Sequence, residues 1–257
     1  MNMFPRLFTY ASILVFLGSV GVASAQTADF RQEIDELKQG QRAIQNELQE
    51  IKSLLEKIAT QPPAKPSGPV IKDVEFEIGR NPVKGNASAG LILVEFTDYE
   101  CPFCGRYVRE TYPQVLNQYI DKGSIQYAVI DLPLPMHSKA AKAAEASHCA
   151  EEQGQFWEIH ELMMAKQDSL GDLSSYAASL NLDVQKFDEC VTSGKYADSV
   201  RKDIALAQKL GINAVPGFVI GHVDSSNPGK VKGISLIQGA MPFAGFQVEL
   251  ETALAAQ

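Results

Sequence analysis

The sequence predicts an α/β sheet domain with a helical insertion, preceded by an N-terminal coiled-coil helix. Three observations predict it. Apolar residues recur in alternating steps of four and three between Phe30 and Ile58, and a proline-rich break follows them. The rest of the chain then reads strand, helix, strand, a long helical block, two strands and a closing helix.

In chain order, Met1–Arg6 give a short positive start, residues 7–22 an apolar stretch, and Ala23-Ser24-Ala25 the small residues a signal peptidase reads. The apolar core is shorter than the roughly 20 residues of a spanning helix. Cleavage after Ala25 and export to an oxidising compartment are therefore expected, with a retained membrane anchor as the alternative. Residues 26–60 form the expected stalk. With Ile34 at heptad position a, Leu48 and Leu55 also fall at a, while Leu37, Ile44, Ile51 and Ile58 fall at d. Leu at a with Ile at d leans toward three or four parallel strands, and Glu33–Lys38 and Glu47–Lys52 suit in-register pairing. A homo-oligomer joined through residues 30–58 follows; the alternative is an amphipathic helix lying on its own body. Residues 61–70, with four prolines between Gln61 and Pro69, read as a semi-rigid linker.

Residues 71–257 form the working domain. Strands are expected at Val74–Ile78, Leu91–Phe96, Ile125–Ile130, Phe218–Ile220 and Ile234–Gln238. A helix is expected from Cys101-Pro102 to about Tyr119 and another over Phe243–Ala255. The block from about 138 to 210 has helical period with breaks near Gly171, Asn181 and Gly194.

A formal charge of −8, from 23 basic and 31 acidic residues, argues against a nucleic-acid binder held by phosphate neutralisation. Four cysteines are too few for a disulfide scaffold, but Cys101-Pro102-Phe103-Cys104 opens a helix directly after an apolar strand. Pro102 suits the first helical turn, where its missing N–H has no partner to lose. Cys101 then sits where unpaired N–H groups favour an anionic sulfur. It is the expected nucleophile, with Cys104 one turn deeper as the resolving thiol. A metal half-site is the alternative, but zinc sites of this kind want a second pair, and His137, His148, His160 and His222 are scattered. No metal and no cofactor are expected. Glu95 lies among apolar residues in the preceding strand, either buried as a proton shuttle for Cys104 or turned to solvent at a sheet edge. Glu100 reads as a surface charge, and Met163, Met164, Phe156 and Trp157 as core. Pro216, entering a strand after Val215, marks a turn whose isomer the sequence leaves open.

The run Val94–Cys104, with Val215-Pro216 far downstream and Cys149–Trp157 between, resembles the DsbA-like thiol–disulfide oxidoreductases of bacterial envelopes. The resemblance spans roughly Val70 to the C-terminus. It implies a thioredoxin fold interrupted by a helical domain, with Glu95 as a buried proton relay. It also implies a cis-proline loop at Val215-Pro216 that lines a substrate groove with Pro102 and Phe103. Its implied partners are exported proteins bearing thiols or disulfides and a membrane redox partner that recycles the cysteine pair. Well-known oxidases of the family carry His where Phe103 stands and have no stalk. The stalk resembles that of trimeric relatives similar to disulfide isomerases and copper-tolerance proteins, so isomerase or reductase work in the periplasm is expected. A dithiol oxidase and a non-enzymatic holdase or metal-handling protein are the alternatives. Some relatives carry a second, structural bridge, which Cys149 and Cys190 would form here; two buried free thiols are the other reading.

Overall fold

A computed structural model describes residue 34, residues 36–53 and residues 71–256. The expected signal peptide with its cleavage after Ala25, the linker at 61–70, and the heptad residues Phe30, Leu55 and Ile58 lie outside the described residues. The chain divides into two compact units, Met1–Ser67 and Gly68–Gln257.

In the first unit, residues 36–53 form helix α1. Leu37, Ile44, Leu48 and Ile51, the apolar stripe of this helix, are 73, 59, 59 and 52% exposed.

The second unit is built on one six-stranded sheet. Its strands are β1 (Glu75–Glu77), β2 (Val83–Gly85), β3 (Leu91–Thr97), β4 (Gln126–Asp131), β5 (Gly217–Asp224) and β6 (Asn227–Gln238), in the order β1-β6-β5-β3-β4-β2. Strands β3 and β4 pair in parallel and every other pair is antiparallel. All seven residues of β3 and all six of β4 are buried, as expected of central strands covered on both faces. Alternation divides the core accordingly. Leu91 and Leu93 join Tyr127, Val129 and Phe218 on one face, and Ile92, Val94 and Phe96 join Ala128, Ile130 and Val219 on the other.

Helix α2 (Pro102–Glu110) follows β3, and α3 (Tyr112–Val115) continues into a π-helical turn at Leu116–Ile120. One helix was expected to run to Tyr119; Pro113, which has no N–H to donate one turn back, divides it at Thr111. The insertion comprises α4 (Ala140–Glu151), α5 (Phe156–Ala165), a single 3₁₀ turn at Gln167–Ser169, α6 (Leu173–Ser179), α7 (Val184–Ser193) and α8 (Ala197–Lys209). Breaks fall near the three expected positions. A further one at Gly154, whose φ is +77°, ends α4 earlier than the helical period suggested. Aspartates 172 and 183 cap α6 and α7 by accepting the N–H of Ser175 and Lys186. The closing helix α9 runs Phe243–Ala255, and β6 begins seven residues before the expected Ile234. Strand β2 went unread because three residues are too few to show alternation.

Candidate active site

The phase of β3 decides which side chains meet beneath α2. Odd-numbered residues face the core that contains α2, so Glu95 points the same way as Leu91 and Leu93 and is fully buried. Its Oε2 accepts the Tyr127 hydroxyl from β4, while Oε1 has no hydrogen-bond partner among the described residues. Burial raises the Glu95 carboxyl to about 7, opposed by the Tyr127 hydrogen bond. The solvent-facing reading of Glu95 is thereby excluded.

Cys101 is the N-cap of α2 and Pro102 occupies its first turn. The Cys101 thiol is held down at about 6, first by its hydrogen bond from the Cys104 thiol and then by the backbone N–H groups of Cys104 and Phe103. Burial and the Asp98 carboxylate work against that shift. Cys104, with no exposed surface, is pushed up by burial, by Cys101 and by the negative charge of Glu95. Both cysteines are free thiols. Such an asymmetric pair has one sulfur ready to attack and one that holds its proton.

The loop before β5 closes over this pair. The Val215–Pro216 bond is cis, and Cys101 Sγ lies 3.7 Å from the Val215 carbonyl oxygen. Phe103 is 54% exposed, with the Arg106 guanidinium 5.2 Å from its ring centre. An apolar groove of 740 Å³ is lined by Leu132, Leu134, His137, Ile204 and Ile212, among others. Cys101, Cys104, Glu95, Pro102, Phe103, Val215 and Pro216 thus occupy one neighbourhood. Cys149 and Cys190 do not: they are bonded to each other across α4 and α7, which leaves no free thiols in the insertion.

Four residues at this site, Gln167, Asp98, His137 and Glu100, hold roles that the sequence did not signal. Gln167, in the 3₁₀ turn of the insertion, donates its amide to the carbonyls of both Tyr99 and Cys101 at 2.8 Å. A side-chain amide on main-chain carbonyls leaves no periodic trace. Buried Asp98 accepts the N–H groups of Glu100 and Leu134 at 2.7 Å and meets His137 Nδ1 at 2.8 Å. Glu100 is a correction to the sequence reading. It is partly buried, and its carboxylate accepts the Lys139 and Ala140 N–H groups at the start of α4, serving as a cap drawn from a distant loop.

Among the described residues the cluster with metal-ligand spacing is Asp131, His148 and Asp203. Both imidazole nitrogens of His148 are engaged, Nε2 with Asp131 at 3.0 Å and Nδ1 with Glu151 at 3.2 Å. Burial works to discharge the ring, but these carboxylates hold it cationic to about 10. Protonated on both nitrogens, the ring is paired with the Asp131 and Glu151 carboxylates.

Glu95 carries a pH prediction. Its carboxyl binds a proton more tightly folded than unfolded, so stability falls as pH rises from about 4.5 to about 7 and stays reduced above. Glu95→Gln removes that titration and is expected to stabilise the protein at pH 8 by ~3 kcal/mol. It should have little effect at pH 4. Denaturant titrations at the two pH values check this, and equal effects at both would refute it.

A protein-family model described as thioredoxin matches residues 78–237. Na(+)/H(+) antiporter NhaA 3 of Salinispora tropica is 35% identical over 165 residues, which are 63% of this chain and 25% of that protein. The chain therefore spans about a quarter of the length of that curated relative, and among the described residues no helix is long and apolar enough to cross a membrane. Disulfide bond formation protein D of Bacillus subtilis is 31% identical over 152 residues, 54% of this chain and 67% of that protein. The crystal structure of Wolbachia pipientis alpha-DsbA1 superposes with a TM-score of 0.60 at 25% identity, covering 70% of this chain and 94% of that one.

Proposed function

Because this chain belongs to the thioredoxin family, as a DsbA-like thiol–disulfide oxidoreductase, we propose that it exchanges thiols and disulfides in exported proteins through Cys101 and Cys104, as an isomerase or reductase. The observation that carries this reading is the Cys101 sulfur at the start of α2, facing the cis Val215–Pro216 loop, with Glu95 buried behind the pair. The Cys101 thiolate attacks a substrate disulfide; that S–S bond breaks, a Cys101–substrate bond forms, and the leaving sulfur takes up a proton. In the isomerase cycle a substrate thiol then attacks the mixed disulfide and regenerates Cys101. In the reductase cycle Cys104 gives its proton to Glu95 and attacks Cys101, releasing the substrate thiol and leaving Cys101–Cys104 oxidised. A membrane dithiol partner then reduces the pair. Val215, Pro102 and exposed Phe103 line the approach for the substrate chain.

The same proposal includes export to the periplasm, with cleavage after Ala25, and assembly through residues 30–58 into a trimer or tetramer. The exposed Leu37, Ile44, Leu48 and Ile51 stripe supports assembly, since parallel helices would bury it. Several sites around a shared space suit reshuffling of mis-bridged chains. A second reading, a dithiol oxidase that introduces disulfides, is favoured by the lowered Cys101 thiol, which stabilises the reduced pair.

Reactivation of scrambled ribonuclease by the chain starting after Ala25, compared with a form starting at Val70, tests these readings. The shorter form retains the compact unit with its own sheet and core. Isomerase activity in the longer form alone is expected, together with a change from trimer or tetramer to monomer in native mass on truncation. Oxidation of a reduced peptide by both forms, with reactivation by neither, would overturn the isomerase reading in favour of the oxidase.

A further inference from the structure

Between the two cysteines the chain places Pro102 and Phe103, neither of which carries charge. Nearby, the Asp98 carboxylate opposes the thiolate, as Glu95 does from behind the pair. Asp98 is 1% exposed, its main-chain carbonyl accepts the Cys101 N–H at 3.1 Å, and its carboxylate disfavours a negative sulfur at Cys101. That carboxylate is held from two sides, by the N–H groups of Glu100 and Leu134 and by the His137 ring at 2.8 Å. His137 lies in the loop after β4, with its side chain 22% exposed at the rim of the apolar groove.

We propose that His137 is a positioning residue of the dithiol site: as an imidazolium on Asp98 it cancels the carboxylate that opposes the Cys101 thiolate, supplying from a neighbouring loop the positive charge absent between the cysteines. The inference rests on Cys101 being the nucleophile. It goes further by assigning the control of its ionisation to a residue 36 positions away in sequence. The surroundings of His137 agree. Burial would discharge the ring, but the hydrogen bond to Asp98 and the charges of Asp98, Cys101 and Glu100 raise its proton affinity. Across the groove, Gln208 of α8 and Asn213 are uncharged, and the Lys139 ammonium lies against Gly171. Among the described residues, the charges that raise the proton affinity of His137 are those of Asp98, Cys101 and Glu100. Coupling between two sites is reciprocal, so whatever His137 contributes to the Cys101 thiolate, the thiolate returns to His137.

Two measurements on the full chain test this. In the first, the His137 ring is titrated by NMR, with its resonance assigned by its loss in His137→Ala, in the dithiol form and with Cys101 and Cys104 bonded to each other. The midpoint is expected to be higher in the dithiol form; equal midpoints would overturn the inference without any variant having to fold. In the second, the rate of Cys101 alkylation by iodoacetamide is followed against pH. His137→Ala is expected to slow alkylation at pH 6 by about threefold to tenfold and to converge with the unaltered chain at high pH. The difference should vanish when both carry Asp98→Asn. A profile that His137→Ala leaves unchanged overturns the inference alone. A Cys101 that is no more reactive than an ordinary thiol in the unaltered chain overturns the oxidoreductase reading with it.

Discussion

Cys101→Ser is expected to lower thiol–disulfide exchange by on the order of 10³-fold or more, because the hydroxyl that replaces the thiol is neither ionised near neutral pH nor able to form a mixed disulfide. Cys104→Ser should behave differently. Cys101 still attacks, but nothing resolves the product, so a covalent adduct with substrate should accumulate and be visible by mass. This contrast follows from the asymmetry of the pair, with Cys101 lowered to about 6 and Cys104 pushed up by burial. Near neutral pH Cys101 is therefore expected to be thiolate to a far greater extent than an ordinary thiol, of which only a few per cent is ionised. Alkylation of Cys101 should accordingly rise through a midpoint near pH 6. Equal activity in Cys101→Ser would leave the non-enzymatic holdase as the surviving reading, and trapping through Cys104 instead would reverse the assigned roles.

Loss of the Cys149–Cys190 bridge is the largest stability effect expected. The two residues lie 41 apart in sequence, and in the chain-entropy view closing a loop of that length constrains the unfolded chain by ~4 kcal/mol. For a unit of this size, that corresponds to a fall in Tm of roughly 8–16 °C in the Cys149→Ala/Cys190→Ala double variant. The alanines leave no charge behind. Cys149 is buried on α4, and the bridge ties that helix to α7, whereas the reactive pair sits on α2. Exchange activity at low temperature should therefore survive while thermal stability drops. A change in Tm of under about 2 °C would show that packing of α4 against α7 suffices without the bond.

The sequence made the chemistry at the head of α2 legible because it is local. A strand that is apolar but for Glu95 and Thr97, a proline in the first helical turn and two cysteines three apart require no knowledge of distant contacts. Glu95 was legible as an alternative, and the sheet resolved it: the strand that carries it turned out to be central, with both faces covered. Asp98, His137, Glu100 and Gln167 were not legible, because each works through hydrogen bonds to segments 36 to 68 residues away or to main-chain groups that any residue possesses. Single-chain patterns report what a residue is, and these four matter for where another loop arrives. The helical block was read with its breaks nearly in place, since Gly171, Asn181 and Gly194 interrupt a strong helical period. The interruption at Thr111 was missed although Pro113 stands two residues later, because the apolar spacing continues across it.

The alternating phase of β3 also bears on how this domain can change over evolutionary time. Every second side chain of that strand faces the helix bearing the cysteines, so gaining or losing one residue between Leu91 and Glu95 would turn the carboxylate to the opposite core and bring an apolar neighbour beneath Cys104. The apolar inventory would survive such an indel almost intact while the acid left the sulfurs. Length variation in this family should therefore concentrate in the loops and the helical insertion, with β3 tolerating changes only in steps of two.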